Sequence, residues 1–132
     1  MLSADAPEAP GLAQLVAGAA DHCRQPLRHA VRPVSPGALP AADGSSALDC
    51  SLTLEVRDAA GERQPQHDLE LELFHSGSAL NLTLAWLAEP ERPMLWHGQH
   101  PVWMDASGRR CERPQDGMPL EALARRLRAL LI

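Results

Sequence analysis

No lysine and no tyrosine occur in these 132 residues, and phenylalanine and isoleucine occur once each, the isoleucine at the last position. Without lysine there is no lysine nucleophile, no Schiff base and no Walker-type phosphate loop. The twelve basic residues are therefore all arginine, a bias of GC-rich coding that leads to the expectation of a bacterial chain. No apolar run approaches the length of a membrane span. The opening MLSADAPEAPGLAQ lacks the basic start of a signal peptide. Cys23, Cys50 and Cys111 are widely spaced with no CxxC pair. That is the pattern of reduced cytoplasmic thiols rather than of a disulfide framework. No glycine-rich phosphate loop, dinucleotide fingerprint, EF-hand or HExxH is present, so no cofactor is expected. The net charge of −5 disfavours nucleic acid and anionic lipid as partners, although Arg109, Arg110 and Arg113 cluster.

What is present is a periodic leucine-rich pattern. Residues 1–10, small and acidic with prolines, read as a flexible leader before a single α+β domain over 11–132. Leu12, Leu15, Val16, Ala19 and Cys23 line one face of a helix at about 11–24. Pro26 interrupts that pattern and Pro33 ends the short turn expected after it. Residues 33–46, rich in Pro, Gly, Ser and Ala, form a connector.

The period then changes. Leu48, Cys50, Leu52, Leu54 and Val56 alternate with polar residues, as do Leu69, Leu71 and Leu73, and then Leu80, Leu82, Leu84 and Trp86. Period two marks strands with one buried and one wet face, and short links imply antiparallel neighbours. Asp105 to Gly108 reads as a turn before a short last strand. Pro119 suits the first turn of a closing helix at about 119–131. Leu120, Leu123, Leu127, Leu130 and Leu131 form its stripe, and Glu121 and Arg125 form an i,i+4 pair. The expected fold is α+β: a four- to five-stranded antiparallel meander over about 47–113, with both amphipathic helices packed on one face.

The stretch MLWHGQHPVWMD (94–105) holds two of the three tryptophans and two of the six histidines. A two-residue loop at Gly98-Gln99, with glycine first as in a type II′ turn, pairs His97 with His100 and Trp96 with Pro101. Met94, Trp96, Pro101 and Trp103 then share one face of an edge hairpin, and Pro101 suits an edge. Such an apolar patch is a candidate site for binding another protein or a second copy of the chain. The alternative is a small metal-dependent enzyme or metal-binding protein using His97 and His100, completed by a carboxylate or Cys111.

Other chemistry fares worse. Asp21, His22 and Cys23 are consecutive on a helix and diverge by about 100° per residue. Glu70 and Glu72 fit the polar face of a strand, and Ser76-Gly77-Ser78 fits a turn rather than a nucleophile elbow. No catalytic residue is assigned. The expected function is that of a non-catalytic, adaptor- or chaperone-like domain of the cytoplasm, working through the tryptophan hairpin.

Overall fold

The computed structural model describes residues 11–34, 50–76 and 78–131. The leader at 1–10 and most of the connector lie outside them. Helix α1 (Leu12–Cys23) is followed by strands β1 (Arg28–Pro33), β2 (Cys50–Arg57), β3 (Leu69–Ser76), β4 (Ala79–Trp86), β5 (Met94–His97), β6 (Pro101–Met104) and β7 (Arg110–Cys111), and then by helix α2 (Met118–Leu131). The strands form one antiparallel sheet in sequence order, β1 to β7. The fold is therefore α+β with an antiparallel meander, but of seven strands rather than four to five.

The sheet begins earlier than the leucine alternation does. β1 reads RHAVRP and lacks that alternation, yet it pairs with β2 along its whole length, from Arg28↔Arg57 to Pro33↔Leu52. Its buried residue is a histidine, with Val31 beside it packed against the core. His29 is buried because its polar atoms are satisfied: Nδ1–H donates to Asp21 Oδ1 at 2.9 Å, and Arg24 Nη1 donates to Nε2 at 3.0 Å. The His29 amide also donates to Asp21 Oδ1, at 2.8 Å. A donor on one side and an acceptor on the other fix a neutral imidazole. Burial holds its pKa below the ordinary value; the Asp21 hydrogen bond opposes this and the Arg24 charge adds to it. The Arg24 guanidinium, lowered by burial to about 10, stays charged at neutral pH.

Register places one side chain set on each face. Leu52, Leu54, Leu69, Leu71, Leu73, Leu82, Leu84 and Leu95 point to the same side and are fully buried. Leu12, Val16, Ala19 and Ala20 of α1, and Leu120, Leu123, Ala124 and Leu127 of α2, join them in one core. Each such leucine contributes about 1.5–3 kcal/mol through burial. α1 packs on β1, α2 on β4 and β5, and the helices touch each other. Both therefore lie against the leucine face, and the opposite face carries neither.

Two polar clamps tie loops to this frame. Asp68 accepts the Val56 amide at 2.8 Å and both terminal nitrogens of Arg63, at 2.9 and 2.7 Å. Burial alone would raise its pKa, but the Arg63 and Val56 hydrogen bonds hold the carboxyl below the usual range. On the loop after β4, Arg92 lies 4.0 Å over the Trp86 ring and bonds Asp116 through both carboxylate oxygens at 2.7 Å.

Candidate functional site

The helix-free face of the sheet changes character across its width. Ser51, Thr53, Glu55 and Arg57 of β2, Glu70 and Glu72 of β3 and Arg28 and Arg32 of β1 give it a polar half of mixed charge. From β5 onward it turns apolar. Cross-strand register aligns Glu72, Thr83, Trp96 and Val102 in one row, and pairs Met94 with Met104. Met94, Trp96, Val102 and Met104 are all partly exposed. A shallow cleft of about 300 Å³ opens beside them, with Ala85, Met94 and Met104 among its lining residues and Glu70, Arg92 and Asp105 as its charged groups.

This patch is not the one that a two-residue turn implies. The β5–β6 loop has three residues, Gly98 to His100, so His97 pairs with Pro101, Trp96 with Val102, and Leu95 with Trp103. A slip of one residue sends every side chain of β6 to the other face. Met94 and Trp96 stay together on the open side, joined by Val102 and Met104. Pro101 and Trp103 turn to the helix side instead.

The reason lies on α2. Trp103 is buried, and its Nε1–H donates to Glu121 Oε2 at 2.7 Å, a bond that reaches across the interior. Arg113 holds the other carboxylate oxygen of Glu121 at 3.2 Å. Glu121 therefore faces inward rather than pairing with Arg125 on the helix surface. Gly117 closes this corner: a Cβ there would stand 2.7 Å from Trp103 Cζ2 and from Arg113 Cγ.

Gly98 also has a spatial role. Its φ is not positive, so no type II′ turn forms. A Cβ on it would meet Trp96 Cη2 at 2.9 Å and Asn81 Oδ1 at 2.8 Å. The glycine makes room for the Trp96 ring on the open face.

The hairpin is flanked by β7, which pairs Trp103 with Cys111 and Met104 with Arg110 and does not reach Pro101. The expected edge is thus only the outer half of β6. His97 flanks the turn but is not exposed to solvent. It is buried, its Nδ1–H donates to Gly98 O at 3.1 Å, and its Nε2 has no partner among the described residues. His100 is exposed nearby, and both histidines line a cleft with Arg125 and Arg128. Burial lowers the His97 pKa; the Gly98 hydrogen bond opposes this, while Arg128, Arg125 and His100 add to it.

Among the described residues, no three or more of His, Cys, Asp and Glu converge as a metal site. Asp21 serves His29 while His22 is exposed, so the Asp21-His22-Cys23 run is divided as helix geometry requires. Burial raises the pKa of the Cys23 thiol. No described helix is long and apolar enough to cross a membrane. Sequence reasoning missed Val102 and Met104, whose signal was the one-residue ambiguity of the loop.

No curated protein and no solved structure gives a significant match to the chain. The profile of a family described as a domain of unknown function, DUF8659, spans residues 13–130, and the chain belongs to that family.

Proposed function

We propose that this domain is a non-catalytic, adaptor-like module of the cytoplasm that binds another protein through the helix-free face of its sheet. The observation that carries the reading is the contiguous layer of Met94, Trp96, Val102 and Met104, partly exposed on a face that neither helix covers. Methionine and tryptophan supply adaptable apolar area, and such patches rimmed by polar groups mark contact surfaces. Glu70, Glu72 and Asp105, with Arg92 and with Arg110 opposite Met104, give the rim charges of both signs, which suits an apolar partner segment flanked by charged residues. Trp96 is the central anchor. Pro101 and Trp103 support it from the other face.

The metal reading of His97 and His100 is weaker because Arg125 and Arg128 share their cleft. A divalent cation there would meet two fixed positive charges.

The test compares partner capture by the wild-type domain and by Trp96→Ala and Met104→Glu, with sedimentation to detect self-association. Loss of the same partner in both variants, at unchanged folding, is the expected result. Equal capture by all three proteins would reject this face as the contact surface.

A further inference from the structure

Between the β5–β6 turn and α2 lies an open cleft of about 540 Å³, lined by His97, Gln99, His100, Arg125 and Arg128 among others. It is on the helix side of the sheet, apart from the Trp96 surface. Among the described residues its lining contains no carboxylate. Glu121, one turn before Arg125 on α2, is turned away to Trp103 and Arg113. As a result neither Arg125 nor Arg128 has an ion pair among the described residues. Arg128 is held at its base, its Nε donating to Leu80 O at 3.3 Å. That anchor leaves the two terminal nitrogens of its guanidinium uncommitted. His97 adds an almost fully buried imidazole whose Nε2 lacks a partner among the described residues.

We propose that this cleft binds a small soluble oxyanion, a phosphate or a phosphomonoester, between Arg125, Arg128 and His100 with His97 at its wall. Two guanidinium forks supply planar donor pairs that match phosphoryl oxygens. The cleft volume falls within the range of small-ligand sites. An anion also supplies the charge that the site lacks. The charged or titratable groups facing His97 are Arg128 and Arg125 from α2 and His100 from the turn, while β4 and β6 carry no charged residue. A bound dianion offsets those positive charges and makes protonation of His97 easier, so anion binding and proton uptake at His97 are coupled.

The probe is inorganic phosphate, titrated into the full chain at about pH 6 and pH 8 and followed by calorimetry and by histidine and arginine side-chain NMR. Glycerol phosphate, phosphatidic acid vesicles and zinc are tested in parallel. Saturable phosphate binding is expected, with shifts at the His97 ring. Removing one charge-assisted donor in Arg125→Gln or Arg128→Gln weakens it about tenfold, and a matched substitution of Arg110, away from the cleft, leaves it unchanged. No saturable response to either soluble ion overturns the proposal. So does a response equally reduced by the Arg110 change, binding to vesicles alone, or zinc bound by His97 and His100 without any phosphate effect. Arg125 is exposed and Arg110 lies on the two-residue β7, so folding of those variants is checked directly by their amide spectra.

Discussion

Trp103 and Glu121 meet at 2.7 Å across the core, an indole N–H donating to a buried carboxylate. This one bond fixes which face of β6 looks inward, and so which tryptophan is left outside. The two tryptophans of the hairpin accordingly have opposite roles. Trp103→Ala removes a buried ring and leaves Glu121 with only Arg113, at a cost of about 3–5 kcal/mol. Trp96→Ala removes a partly exposed ring from a face that neither helix covers and costs about 1 kcal/mol or less. Denaturant unfolding of both variants checks the contrast; equal losses would contradict the register.

The two close-packed glycines give a second contrast. An alanine at 117 has Trp103, Arg113 and, at 3.1 Å, the Pro114 carbonyl around its Cβ. Trp103 is enclosed and cannot yield, so Gly117→Ala is expected to destabilise by about 1–3 kcal/mol. At Gly98 the obstructing atoms are both side-chain ends, the Asn81 amide oxygen and the Trp96 ring, and the ring can swing outward. Gly98→Ala therefore changes Trp96 fluorescence and partner binding more than it changes the melting temperature.

Acid should weaken the fold through its two buried histidines. His29 and His97 both have folded-state pKa values below the ordinary histidine value. The unfolded chain then binds protons at a pH where the folded chain does not, so stability falls as pH falls. The full contribution is present above about pH 6.5, and the loss continues downward until the folded-state values are reached. Melting temperatures across about pH 5 to pH 8 should fall on the acid side and level off on the alkaline side. His29→Gln, which cannot charge, should flatten part of that slope. A profile independent of pH over that range would contradict the buried, neutral state of both rings.

Strands β2, β3 and β4 were legible because a leucine or its equivalent stands at every second position, and short links left antiparallel pairing as the simple solution. The helices were legible for the same reason at the other period. β1 was not. Its buried position is His29, and the Asp21 and Arg24 side chains, brought in from the helix before it and its end, make that burial tolerable. A hydrophobicity pattern carries no trace of such a network. The candidate site was half legible. Met94 and Trp96 follow from alternation within β5 alone, but assigning Val102 and Met104 to their face needs the loop length. Turn chemistry at Gly98 pointed to two residues. The core pointed to three, through a carboxylate eighteen positions away.

The sequence-ordered meander has a kinetic consequence. Every strand pairs with its neighbour in the chain, so each hairpin closes over a limited span, and such low-separation contacts favour rapid folding. The contact of α1 with α2 is the exception, because it joins the first described element to the last. Docking of α2 therefore acts as the closing step: it caps the leucine face, seats Trp103 against Glu121, and in the same motion brings Arg125 and Arg128 beside the β5–β6 turn.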